Sequence, residues 1–561
     1  MNFTQTENQT SPLLSLPVEI ICSIFHWACS EPSPFTTSGL GESPRTEIAL
    51  SHVCHQWRYI SLAHPVLWTL YCGYVQPGKI ASSTEYSSSK AKKFSFEELD
   101  AYLERSSQLP LDLWLDFSDP DRIDYPELAL DMITDAKHAA RWRRVSLRLH
   151  EEWALENLLD PLRKVAAPLL QSFEVEIITA PITGSTRTPV GFFWEDDDDM
   201  PVPMDVQLHN PFLGGTRLTH VRIDARVFKS FAPCLANVTT LYIEGRRTYT
   251  AACSWSTFLS LIASPCLTSL SLFGLIFHPP SANTIPLLDD GERKALVRTN
   301  LKHLRTMDPI VAKYMWFYLD APSLELLIFA DMFVPFVSTD FATTVAIDPK
   351  AYGNIASRSF PSIQILAFIM VYTSEESLPF LTFLASATQS TTHLIIIDGS
   401  DTTGIYQSMM ECTPPMPDAS NFRLATSTAI TQRQPQILWP NLSKFTCDVC
   451  RWALNLGDRW DDATACAVHL EYRAAVLRKP CLLLVFDQGR VPGIWKKVYE
   501  ARWKDWSSKS DSKPPSFETI KWDDCDDNSV PWPPREDEVL GYNSEVKFII
   551  GGYTSLTEPY Y

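Results

Sequence analysis

The spacing in this sequence that comes nearest to a reactive site is Cys447-x-x-Cys450, followed after 15 residues by Cys466-x-x-His469. Thiolates and an imidazole so spaced can enclose a tetrahedral zinc ion. Simple packing accounts for the same residues. Cys447 falls at a core position of a strand, and Cys466 and His469 share one face of a helix expected over residues 462–477, with Asp462 as its N-cap. We therefore discount the spacing as a zinc site and expect neither a metal nor a cofactor. Other signatures are missing. There is no Gly-rich phosphate loop, and the chain has only 20 glycines. No Gly-x-Ser-x-Gly elbow and no His-Glu-x-x-His helix occurs. The 12 histidines are dispersed, and carboxylates are so numerous that chance pairs carry no weight. Nothing nominates a catalytic residue, so the expectation is a protein that is not an enzyme and works by binding.

Charge narrows what it binds. With 48 Lys and Arg against 66 Asp and Glu, the formal net charge is −18. A general basic field for nucleic acid is excluded on that balance. The local run Arg141-Trp142-Arg143-Arg144 reads as the solvated rim of a strand, and Trp194-Glu195-Asp196-Asp197-Asp198-Asp199 as a solvated loop. The 13 cysteines are odd in number and scattered, and several, such as Cys22, Cys54 and Cys266, sit at apolar positions. Free thiols in a reducing compartment fit this use, which implies a cytoplasmic or nuclear protein. The Asn-x-Ser/Thr sequons at Asn2, Asn8, Asn237 and Asn441 then carry no meaning. The first ten residues show neither a basic n-region nor an apolar h-region, so no signal peptide is expected. No apolar run approaches the length of a membrane span.

The elements that would position a binding surface are legible as a recurring phrase, with apolar residues at its first, fourth and sixth positions. It occurs at Trp142/Val145/Leu147, Leu170/Phe173/Val175, Leu218/Val221/Ile223, Val238/Leu241/Ile243 and Leu267/Leu270/Leu272. It continues at Leu301/Leu304/Thr306, Leu324/Leu327/Phe329, Ile363/Leu366/Phe368 and Leu442/Phe445/Cys447, with His393–Asp398 as a further strand. Pro lies just upstream of several copies, as at Pro168, Pro265, Pro322, Pro361 and Pro440, and so restarts the chain into a strand after a turn. Middle positions are 20 to 79 residues apart. The shorter gaps match the 20–29 residue period of leucine-rich repeats, and the longer ones need insertions. The stretch is similar to an irregular leucine-rich repeat solenoid. That resemblance implies an α/β fold in which each unit adds one strand to a parallel sheet and returns through a helix or loop. Helical returns are expected over 255–264, 308–319 and 377–387. Outward strand positions such as Arg222, Tyr242 and Ser271 are candidate substrate contacts by alternation, against the plainer expectation of a solvated strand face.

Upstream of the repeats stands a different pattern. It runs Leu14-Ser15-Leu16-Pro17-Val18-Glu19-Ile20-Ile21-Cys22-Ser23-Ile24-Phe25, resumes at Ile48-Ala49-Leu50-Ser51-His52-Val53-Cys54-His55-Gln56-Trp57-Arg58, and closes with Pro65-Val66-Leu67-Trp68. Pro17 and Glu19 suit a helix's first turn. Ile20, Ile21, Ile24, Phe25 and Ala28 form an apolar stripe at helical spacing, and Val53, Trp57 and Ile60 form another. The three blocks resemble an F-box of the fungal type, a short helical module. The segment Leu103-Glu104-Arg105-Ser106, then Leu109-Pro110-Leu111, resembles the stretch after the F-box in many fungal F-box proteins. A Ser-, Pro- and Gly-rich insert at about 30–46 departs from the pattern, and a longer loop costs little. The resemblance implies docking onto a Skp1-like adaptor, and through it onto a cullin–RING ligase, with an unknown protein substrate held by the repeats. For the Skp1 contact it points to Leu16, Pro17, Ile20, Ile21, Ile24, Val53, Cys54, Trp57, Leu67 and Trp68. Some of these must be internal core, because so small a module cannot spare every apolar residue.

The expected organisation is therefore an α/β chain with a disordered N-terminus over 1–12 and a three-helix F-box-like module over 13–75. A linker, helix and first strand come next over 76–138, the helix running from Phe96 to Leu109 and the strand over 111–117. The solenoid occupies 139–490, with loop insertions near 179–212 and 400–436. A C-terminal cap and Trp-rich tail occupy 491–561.

Overall fold

In the computed structural model, the structure describes residues 16–29, 45–73, 94–117, 126–150, 161–178, 212, 215–230, 235–245, 253–280, 296–334, 349–373, 378–397, 438–447, 483–487 and 517–520. The expected helix over 462–477, the 1–12 and 400–436 segments and most of the 30–46 and 179–212 insertions lie outside these residues. The fold is α/β, built on parallel strands with helices between them. Two compact units divide the described residues, one up to Val238 and the other from Thr239 onward.

The first unit opens with helices α1 (Val18–Ala28), α2 (Thr46–Ser51) and α3 (His55–Ala63), then a 3-10 turn, Pro65–Trp68. Strand β1 (Leu70–Gly73) comes directly after it. It is missing from the sequence expectation, which begins the sheet at residue 111. Next come α4 (Phe96–Arg105), β2 (Leu111–Phe117), α5 (Pro126–Thr134), α6 (Ala136–Ala139), β3 (Trp142–His150), β4 (Ser172–Ile178), β5 (His220–Asp224) and α7 (Ala225–Ser230). β1 to β5 pair in chain order, every pair parallel. α4 starts where Ser95 Oγ accepts from the Glu98 N–H at 3.2 Å, and its face of Leu99, Tyr102 and Leu103 is buried as the spacing predicts. Phe212, at the end of the insertion read as a surface loop, is instead a core residue. Its ring lies 4.7 Å from Phe173 and 6.4 Å from Trp142.

The second unit contains β6 (Thr240–Gly245), α8 (Trp255–Ile262), β7 (Ser269–Gly274), β8 (Val297–Arg298), β9 (His303–Thr306), α9 (Pro309–Tyr318), β10 (Leu319–Asp320) and β11 (Leu326–Val334). It continues with α10 (Pro349–Ser359), β12 (Ile365–Thr373), α11 (Leu378–Ala387), β13 (His393–Ile397), β14 (Lys444–Cys447), β15 (Leu483–Asp487) and β16 (Phe517–Ile520). The main ladder runs β6, β7, β9, β11, β12, β13, β14, β15, β16, again all parallel. β8 and β10 form a separate short parallel pair. All three helical returns expected from the sequence are present as α8, α9 and α11. β16 lies within 491–561, read as a C-terminal cap and Trp-rich tail with no strand named in it.

Every copy of the recurring phrase lands on a strand, and its apolar residues are buried wherever burial is described. One bond pattern repeats with them. The carbonyl just ahead of a strand accepts from two successive N–H groups of the next segment. Thr239 O accepts from Thr268 and Ser269, Lys302 O from Glu325 and Leu326, and Thr392 O from Ser443 and Lys444. A side chain three residues ahead of several strands adds a second tie. Asn300 Nδ2 donates to Pro265 O at 2.8 Å, Ser362 Oγ to Pro322 O at 2.6 Å and Asn441 Nδ2 to Gln389 O at 2.9 Å. In the first unit Asn237 Nδ2 donates likewise to Thr216 O at 3.0 Å. The sequons at Asn237 and Asn441 thus have a structural use: their amides tie one turn to the preceding one.

Candidate functional site

The surface with the clearest capacity to bind is on the N-terminal helices. Pro17 is the N-cap of α1, and its carbonyl accepts from Ile20 and Ile21 N–H at 3.0 and 3.2 Å. Along α1 the apolar residues split by flank. Ile21 and Phe25, one turn apart, are buried. Ile20, Ile24 and Trp27, spaced i, i+4 and i+7, share the adjoining flank and are exposed, Trp27 to 83%. Phe25 meets Trp57 of α3 edge-on, with ring centroids 5.0 Å apart, and this contact sets α1 against α3. The Cys54 sulfur accepts from Trp57 N–H at 3.4 Å and so caps α3. Trp68 closes the module from below. Its indole N–H donates to Ser61 O at 2.8 Å, and its ring packs edge-on against Tyr102 of α4 at 5.0 Å.

The ten residues expected to touch Skp1 therefore fall into three groups. Pro17, Ile20, Ile24 and Val53 are exposed, Val53 to 60%. Leu16, Cys54 and Trp57 are half-buried. Ile21, Leu67 and Trp68 are buried and belong to the module's own core. Sequence reasoning passed over Val18, Trp27, Tyr59 and Val66, all exposed. For Trp27 the signal was present, since it continues the Ile20/Ile24 spacing.

The module is anchored by a polar cluster at its base. Arg45 Nη2 donates to Cys72 O in β1 at 3.1 Å, and its guanidinium pairs with Glu98 of α4. Tyr102 donates to the Glu47 carboxylate, which burial pushes above its ordinary range. Burial likewise raises the Tyr71 hydroxyl and the Cys72 thiol, each to about 12, so both stay neutral.

The outward positions of the strands correct the expectation of a solvated face. Tyr242 and Ser271 are each 2% exposed, and Arg222 is largely covered. They serve one another and their neighbours. Arg305 donates to Ser271 Oγ at 2.8 Å and lies 5.9 Å over the Tyr242 ring. In the first unit Glu174 accepts from Ser146 at 2.9 Å and pairs with Arg222 at 3.0 Å, while Arg148 pairs with Glu176 at 2.9 Å. Burial holds the Glu174 carboxyl above its ordinary range. On β11 to β13 the same face turns apolar, with Ile328, Ala330, Ala367, Ile369 and Ile395 all buried. In β2, Asp112 and Trp114, at the alternating positions, are buried too. A parallel sheet buried on both faces has this character.

The Arg141–Arg144 run is not a solvated rim. Arg141 is buried, and Arg143 pairs with Asp112 through its Nε at 2.8 Å. Of the four residues with zinc-like spacing, only Cys447 is described. It lies on β14 opposite Ile396 and Phe486. Among the described residues no group of three or more His, Cys, Asp or Glu is placed to hold a metal ion. Nor, among them, is any helix long and apolar enough to cross a membrane. No protein-family model matches the chain, and no curated protein matches it.

Proposed function

We propose that this protein is a non-catalytic substrate adaptor of an SCF-type E3 ubiquitin ligase. Helices α1–α3 dock on a Skp1-like subunit, and the strand-rich remainder, a leucine-rich-repeat-like solenoid, holds a protein substrate. One observation carries the docking half. Of the eight large hydrophobic residues that stand exposed among the described residues, seven (Val18, Ile20, Ile24, Trp27, Val53, Tyr59 and Val66) lie in the N-terminal helical module. Fully burying such side chains is worth roughly 1.5–3 kcal/mol each, a strong drive for association. The repeating carbonyl and Asn/Ser ties support the solenoid half. In this reading the assembly works by proximity, holding a substrate lysine near a charged ubiquitin carrier.

The test is co-expression with Skp1, comparing the natural chain with an Ile20→Asp, Ile24→Asp, Val53→Asp variant. These side chains are exposed, so the melting transition should be preserved while affinity falls about a hundredfold or more. If the natural chain forms no complex, the helices serve as a cap on β1, a role for which the Arg45 bond to Cys72 O already equips them. The protein would then be a repeat scaffold that does not engage Skp1.

A further inference from the structure

The turn between α4 and β2 is held by a cation that, among the described residues, has no carboxylate partner. Arg141, at the entrance to β3, is 5% exposed. Its Nη1 donates to Ser106 Oγ at 3.1 Å, to Leu109 O at 3.3 Å and to Ser107 O. Its Nη2 donates to Leu103 O at 3.0 Å and faces His138 Nδ1 at 3.0 Å. These carbonyls belong to the last turn of α4 and the residues behind it, where the helix dipole leaves partial negative charge. The cation is thus matched without a carboxylate. Ser107 has φ 54, a left-handed conformation that costs a residue with a side chain about 1–2 kcal/mol. The guanidinium holds that strained carbonyl in place. Arg141 also offers its own carbonyl to Leu111 N–H at 2.8 Å, the bond that starts β2.

His138 is the one member of this set that can change charge. Arginine keeps its proton, so Nδ1 of His138 must accept, and the ring carries its hydrogen on Nε2. The charged groups acting on His138 are Lys137 and Asp135 at α6, Arg141 ahead of β3 and Asp100 on α4. Burial, then Lys137 and Arg141, hold the imidazole below its ordinary range against the pull of the two aspartates.

We propose that His138 and Arg141 form a proton-operated latch on the α4–β2 turn. With His138 neutral, Nδ1 completes the acceptor set of Arg141 and the turn is held. A proton taken from solvent onto Nδ1 replaces an acceptor with a donor and sets a second cation against the guanidinium, which releases the turn. The latch lies beneath the docking helices, since α4 carries Tyr102, the packing partner of Trp68 and Tyr71. It does not depend on what those helices bind.

Hydrogen exchange on the full chain tests it, read at residues 103–111 against the β12 strand and corrected for intrinsic rates. At about pH 5.5 against about pH 7.5, the natural protein should lose protection at 103–111 by about tenfold more than at β12. His138→Gln keeps an amide oxygen that can accept but cannot take a proton, so its protection at 103–111 should be insensitive to pH. Arg141→Lys should exchange fast there at both pH values while β12 stays protected, which separates a sprung latch from an unfolded chain. A turn whose protection tracks β12 at both pH values, or a His138→Gln variant with the natural pH response, would overturn the proposal.

Discussion

Asp308 is enclosed, and its two oxygens accept four backbone N–H groups. Ile276 and Phe277 donate to one oxygen at 2.8 and 2.9 Å, and Ile310 and Val311 donate to the other at 2.8 and 3.3 Å. One carboxylate thus caps α9 and fixes the segment behind β7. Asp308→Ala strands four donors, and each buried unsatisfied group costs about 1–3 kcal/mol before relaxation. We expect a loss of about 3–5 kcal/mol in urea unfolding, large for a single substitution. His220 supplies a pH dependence. Burial, with Arg222 and Arg144 nearby, pushes it down to about 3, and burial with Lys444 pushes His393 down to about 4. Both are neutral in the fold, while in the denatured chain a histidine takes up its proton near pH 6.5. Their stabilisation is therefore full above that pH and lost as pH falls toward the folded values. Unfolding midpoints should drop between about pH 6.5 and pH 4, and His220→Gln should flatten the curve by up to about 2 kcal/mol at pH 5.

Between elements, α10 and α11 pack closely where Gly353 faces Ser386. A Cβ on Gly353 would stand 2.4 Å from the Ser386 Cβ. Alanine is the better helix former by about 1 kcal/mol, but overpacking costs about 1–3 kcal/mol. Gly353→Ala should therefore lower the melting temperature by a few degrees. Adding Ser386→Gly should restore part of it, and the double-mutant cycle should show coupling of about 1 kcal/mol. β6 and β7 end on a similar constraint. Gly274 has φ +89, and a Cβ there would approach Gly245 O to 2.3 Å. Gly274→Ala combines left-handed strain with a backbone clash and should cost about 2 kcal/mol or more, measured by chemical denaturation.

At the scale of the whole chain, stability is distributed over many small ties. Asn300 and Asn441 hold different turns, donating to Pro265 O and Gln389 O. Each Asn→Ala change should cost about 1 kcal/mol, and the double variant should be additive within about 0.5 kcal/mol. Strong non-additivity in urea melts would mean that the ties act together. The exposed stripe of α1 contributes less to this internal account, since Ile20, Ile24 and Trp27 leave much of their apolar surface in water.

For the strands that carry the recurring phrase, local sequence alone settled placement. Leu-x-x-Leu-x-Leu puts three apolar side chains on one side of a turn and strand, and each copy buries them there wherever burial is described. The helices α4, α8, α9 and α11 were legible because each carries an apolar face or an apolar run. Elements too short or too weakly apolar to announce themselves were not. β1 has four residues and exists by pairing with β2. α10, with Gly353 in its middle, gains its order by packing on α11. Which side chains face water was decided by the tertiary structure. Ile20 and Ile21 are equally apolar neighbours, yet only Ile21 meets the rest of the module. Tyr242 and Ser271 alternate like solvated positions, yet their face of the sheet is covered. Arg141 stands in a run of like charges that local reasoning sends to the surface. Its oxygen acceptors lie 32 to 38 residues back in the chain, and only the fold brings them to it.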